Sequence, residues 1–150
     1  MRLLIVILVL ISFLQATLLP IDFVLLVLIG RSFIVEDKSN FYLAFGFGLL
    51  ISLLSGVPLG LTSVVYLLAV KVVHLVKTTH FSTQWFLLVP LSLVFLVIDS
   101  WVQNLINLKF SLNFIVIIMQ SFLIMPLYLI LKVWEERFIP KSDIKLKIGK

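Results

Sequence analysis

The chain has 150 residues, 62% hydrophobic and only 13% charged, whereas soluble domains are about half apolar and about a quarter charged. That leaves too little polar sequence to cover a globular core, so lipid must supply the outside. With no cysteine, disulfide frameworks, zinc–thiolate clusters and thiol chemistry are excluded. The net charge of +5 sits on cations flanking apolar runs, which points to anionic lipid headgroups and not to nucleic acid.

Met1-Arg2, a long apolar run and Leu14-Gln15-Ala16 resemble the grammar of a signal peptide. Five further apolar segments follow and residue 14 is not small, so a retained first span is expected. The six segments run approximately Leu3–Leu19, Phe23–Val35, Phe41–Leu54, Leu61–Val76, Phe86–Ile106 and Phe110–Trp134. The first, fifth and sixth are long enough for a helix that crosses about 30 Å of hydrocarbon at about 1.5 Å per residue. The second and third are shorter and must thin the bilayer, recruit flanking residues or lie inside a bundle; Arg31 is expected to ease the second by snorkelling. Between the third and fourth lies Ser55-Gly56-Val57-Pro58-Leu59-Gly60. Its proline removes a backbone donor and its glycines permit positive φ, so a helical hairpin turns there, either crossing the bilayer fully or re-entering it. Pro126 should kink the sixth helix.

Six crossings from a cytoplasmic N-terminus place eleven of the twelve Lys and Arg on the cytoplasmic side, with only Lys109 outside. The positive-inside rule asks for that asymmetry. Both termini are therefore expected in the cytoplasm. The expected fold is an all-α integral membrane protein: a compact bundle of about six transmembrane helices with short loops. It has one six-helix domain over 1–134 and a basic tail over 135–150, whose Lys141, Lys145, Lys147 and Lys150 add lipid attraction of about 1 kcal/mol each.

Ala44, Gly48, Ser52, Gly56 and Gly60 recur at four-residue spacing. Small side chains let helix backbones approach closely, and in lipid that contact replaces the missing hydrophobic drive. The ridge and Pro58 therefore mark helix packing, within the bundle or against a partner. Asp99 is the acid well inside an apolar segment, and Ser92, Asp99 and Gln103 lie close to one helical face. Desolvating a carboxylate is costly unless it is paired or protonated, so Asp99 is either a functional group or the mark of the outer interface. A dyad of Asp22 with Asp99 would need carboxylates within hydrogen-bonding reach. Nothing local enforces that, and none is expected. His74 and His80 flank Lys77 without a nearby carboxylate, which suits an interface better than a metal site. Trp85, Trp101 and Trp134 each fall near a span end, as aromatic belts do. No catalytic triad, phosphate loop or nucleotide motif is present, so no catalytic residue and no cofactor is expected.

The stretch Phe45-Gly46-Phe47-Gly48-Leu49-Leu50-Ile51-Ser52-Leu53-Leu54-Ser55-Gly56-Val57-Pro58-Leu59-Gly60 resembles the glycine-rich third helix and Ser-Gly-x-x-Leu-Gly turn of the rod shape-determining MreD family. Leu91-Ser92-Leu93-Val94 running on to Asp99, and Met125-Pro126-Leu127 before Lys132 to Arg137, agree in order and spacing. Where that family often carries an aspartate in the third helix, this chain has Ser52, so any role of that acid is not carried over. The resemblance implies a non-enzymatic subunit of the cell-elongation machinery in the bacterial plasma membrane. It would work beside MreC-like and RodA-like proteins, a class-B penicillin-binding protein and MreB, helping to localise peptidoglycan synthesis. The family is also similar in fold to the substrate-binding subunits of energy-coupling-factor transporters. That alternative needs a cavity with convergent polar groups, for which Gln15, Thr17, Asp99, Gln103 and Gln120 are the candidates.

Overall fold

The computed structural model describes residues 2–17, 21–78, 85–107 and 113–138. Among them are six α-helices and no strand: α1 (Arg2–Thr17), α2 (Phe23–Ile34), α3 (Ser39–Ser55), α4 (Leu61–Thr78), α5 (Leu88–Asn107) and α6 (Phe114–Phe138). A 3₁₀ turn at Trp85–Leu87 leads into α5. Helices α4, α5 and α6 are long and apolar enough to cross a bilayer, and α1, α2 and α3 are shorter apolar helices. Large apolar side chains face outward along the bundle, among them Leu53, Ile115, Met119 and Ile130. Water would penalise such a surface and lipid does not. The chain is therefore a helical membrane protein. The expected order of long and short segments changes in two places: described α1 has only 16 residues, and α4 reaches 18.

The bundle is organised around α2. Every residue from Val24 to Phe33 is buried, and α2 packs against all five of the other helices. A helix apolar all round belongs at the centre of a bundle. At about 18 Å long, α2 need not match the bilayer thickness by itself, because the surrounding helices shield its ends. The other helices present one buried face each. On α5 it runs Leu88, Ser92, Phe95, Leu96 and Asp99, at the three- and four-residue spacing of a helix stripe.

Helices α3 and α4 form the most extensive pairing in the fold. Gly56 ends α3 in the left-handed conformation at φ 66°, its N–H bonded to the Ser52 carbonyl, and Gly60 adopts φ 95° before α4. A side chain at either position would strain the backbone. Further along, α6 runs unbroken through Pro126 and continues to Phe138. The helical domain therefore extends beyond the expected boundary at Trp134, and Glu135 is part of it. The remaining basic tail, with His80 and Lys109, lies outside the described residues.

Candidate functional site

The small-residue ridge divides at the turn. Ala44, Gly48 and Ser52 are buried, whereas Gly56 and Pro58 are exposed and Gly60 is half-buried. A Cβ built on Gly48 would lie 2.4 Å from Ser63 Cα and 2.7 Å from Ser63 N. Backbone therefore meets backbone between α3 and α4. Ser63 Oγ also donates to the Phe45 carbonyl at 3.1 Å, an interhelical hydrogen bond beside the close approach. Gly46 points the other way, with open space around its Cβ direction and with Tyr42 and Phe45 exposed on the same stretch of α3. Leu49 is half-buried, whereas Leu53 is exposed.

A polar network closes one end of the bundle. Arg31, 2% exposed, donates from Nε to Glu135 Oε1 at 3.0 Å and from Nη1 to Asn40 Oδ1. Asn40 in turn donates to the Val35 carbonyl at 2.7 Å. The expected snorkelling of Arg31 is thus replaced by burial, because α6 and α3 bring a carboxylate and an amide to it. Lys77 reaches across from α4 to the Ile34 carbonyl at 3.1 Å and to Glu36 at 3.5 Å. Asp37 starts α3 from outside: its two carboxylate oxygens accept from the Ser39 N–H at 3.2 Å and the Ser39 hydroxyl at 2.5 Å. These bonds hold its carboxyl below the ordinary aspartate range, as capping carboxylates are held. Beside the network lies a cleft of about 370 Å³, lined by Ser32, Lys38, Asn40 and His74 among others. His74 is exposed there, and no group of three His, Cys, Asp or Glu able to hold a metal occurs among the described residues.

A second polar cluster lies at the opposite end. Gln15 near the end of α1 donates from Nε2 to Asp22 Oδ1 at 2.7 Å, and its Oε1 accepts from the Val24 N–H at 3.2 Å. On α5, Gln103 Nε2 donates to Asp99 Oδ2 at 2.6 Å. The Asp22 and Asp99 carboxyls are near enough to influence one another electrostatically. This influence follows from the packing of α2 on α5, which no local sequence pattern could have signalled. Asp99 is 1% exposed and its Oδ1 has no hydrogen-bond donor, while Asp22 is partly exposed. The fully buried Tyr66 hydroxyl of α4 lies beside Gln15. Ser92, expected on the Asp99 face, is buried but spends its hydroxyl on the Val89 carbonyl of its own helix. Thr17 likewise bonds the Phe13 carbonyl at an exposed position.

Compared with known protein families, curated proteins and solved structures, the chain matches none.

Proposed function

We propose that this chain is a non-enzymatic, multi-pass scaffold subunit of the bacterial plasma membrane, of the MreD type. It would contribute to localising peptidoglycan synthesis beside MreC-like, RodA-like and class-B penicillin-binding partners, with MreB and anionic lipids on the cytoplasmic side. The sequence of the α3–α4 hairpin is what resembles that family, and one observation carries the reading further. The inward small residues of α3 are already occupied within the chain, Gly48 by the Ser63 backbone, while its outward face carries Tyr42, Phe45 and Leu53 around the open notch at Gly46. A small residue beside two exposed aromatics on a lipid-facing helix admits the close approach of a partner's transmembrane helix.

Six crossings with both termini in the cytoplasm fit this reading. The ends of α2, α4 and α6 and the start of α3 meet around Arg31 and Lys77, and basic residues flank that end as cytoplasmic loops require. The transporter alternative draws on the cleft beside Ser32 and Asn40, at the end of the bundle away from the polar groups first considered for it.

Co-purification from membranes with the MreC-like and RodA-like partners tests the scaffold. Gly46→Leu and Phe45→Ala should leave the chain folded and reduce recovered partner by roughly tenfold, as loss of about 1.4 kcal/mol would. Full recovery with both variants would remove this face as the partner site. Saturable uptake of a small solute would favour the transporter alternative.

A further inference from the structure

Helices α1 and α6 both pack on α2, yet a groove of about 280 Å³ remains between them. Leu4, Ile7 and Ile11 of α1 form one wall, Leu127 and Ile130 of α6 the other, and Val27 of α2 the floor. No charged side chain lines it. From Leu4 to Ile11 it runs about 10 Å along α1, at about 1.5 Å per residue. Trp134 also lines the groove and is shared, with Ile130, by a shallower hollow edged by Arg137. Ile130, Trp134 and Arg137 follow one another at helical spacing, so a single stripe of α6 carries the groove wall on to a cation. Glu135 is turned inward to Arg31 at 3.0 Å, and Arg137 is exposed. The ion pairs among the described residues, Arg31–Glu135 and Lys77–Glu36, do not include it.

We propose that this groove seats one acyl chain of an anionic phospholipid, with Arg137 against its phosphate. The volume selects a chain over a helix. A helix is about 10 Å across with its side chains, so even 10 Å of its length fills about 800 Å³. A hydrocarbon chain is slimmer and bends to follow the walls. Within a bilayer, leaving lipid for apolar protein brings no hydrophobic gain, so packing has to supply the attraction. Here α1, α2 and α6 touch the chain on three sides, which replaces contacts with moving lipid tails by dispersion contacts with fixed side chains. Charge then selects the headgroup. A guanidinium meets a phosphate through two parallel N–H···O bonds, and an anionic lipid keeps the negative charge that a zwitterionic headgroup cancels with its own cation. The mouth of the groove lies at the Arg31–Glu135 end, because Trp134 directly precedes Glu135. The site is on α1 and α6, away from the α3 face of the scaffold reading, and does not rest on that reading.

Native mass spectrometry of the full chain, released from nanodiscs of equal phosphatidylglycerol and phosphatidylcholine, tests this directly. The wild type should keep one lipid per chain, with phosphatidylglycerol favoured about fivefold, the preference that one cation near an anionic surface gives. Arg137→Gln should still keep a lipid but bring the two kinds toward parity, although every lysine of the tail remains. Ile7→Trp fills the groove and should abolish retention, whereas Leu10→Trp, on the exposed side of α1, should not. Should Ile7→Trp fail to fold, the Arg137→Gln ratio decides, because that side chain is exposed. A wild type that carries no lipid, equal retention of both lipids by it, an unmoved ratio in Arg137→Gln, or full retention in Ile7→Trp overturns the proposal. A lipid-free wild-type dimer that Ile7→Trp separates overturns it in favour of a second copy of this chain.

Discussion

Burying a guanidinium costs several kcal/mol unless an opposite charge and further hydrogen bonds compensate it. Arg31 has both: Glu135 takes its Nε, Asn40 takes Nη1, and the side chains of the ion pair are 3% and 10% exposed. Removing one member leaves the other buried without its counter-charge, which costs about 3–5 kcal/mol where such pairs have been broken. Arg31→Ala and Glu135→Ala should each destabilise the bundle on that order, whereas Arg31→Met combined with Glu135→Leu should cost less than either single change. Unfolding in mixed micelles with increasing denaturing detergent measures all three. A double variant as unstable as the sum of the singles would mean the two charges do not act as a pair. Neither partner was legible from its neighbours, because they lie 104 residues apart and meet only once α6 packs on α2. What the sequence did carry was local: Asp99 and Gln103, one helical turn apart, bond as their spacing suggests.

The α3–α4 hairpin was the most legible element, because everything that shapes it lies within about twenty residues. Four-residue spacing of small side chains gives α3 a smooth face, and Gly56 and Gly60 take the positive φ that the Pro58 turn requires. Less visible was which neighbour the smooth face meets, and the structure answers with Ser63 of α4. Since a bare Cβ at Gly48 would already lie 2.4 Å from the Ser63 Cα, even Gly48→Ala must push two backbones apart. Overpacking of this kind costs about 1–3 kcal/mol, and Gly48→Leu should prevent folding altogether. Leu53→Phe changes only a lipid-facing side chain and should be neutral, since lipid adapts to shape. Thermal stability of the purified variants distinguishes the two faces; tolerance of Gly48→Leu would show that α3 and α4 do not pack backbone to backbone. The central place of α2 was foreshadowed by Phe23-Val24-Leu25-Leu26-Val27-Leu28-Ile29, which leaves no polar face for water or for the membrane surface.

Taken together, the contacts sort the helix ends into two groups without reference to any membrane. Arg31, Asn40, Lys77 and Glu135 join the ends of α2, α4 and α6 to the start of α3. Gln15, Asp22 and Asp99 join the end of α1 to the start of α2 and the later part of α5. Six antiparallel crossings would require this alternation, and they would also place eleven of the twelve cations at one end. The two inferences are independent, since one rests on hydrogen bonds within the bundle and the other on the membrane's preference for Lys and Arg inside. They yield one expected topology. Because the native chain has no cysteine, single cysteines report their side of the membrane without background. A cysteine replacing Lys38, exposed at the Arg31 end, should resist an impermeant thiol reagent added to intact cells and react once the membrane is opened. One replacing Lys109 should react from outside at once. Labelling at Lys38 in intact cells would invert the bundle and place the end that carries Gln15 and Asp22 toward the cytoplasm.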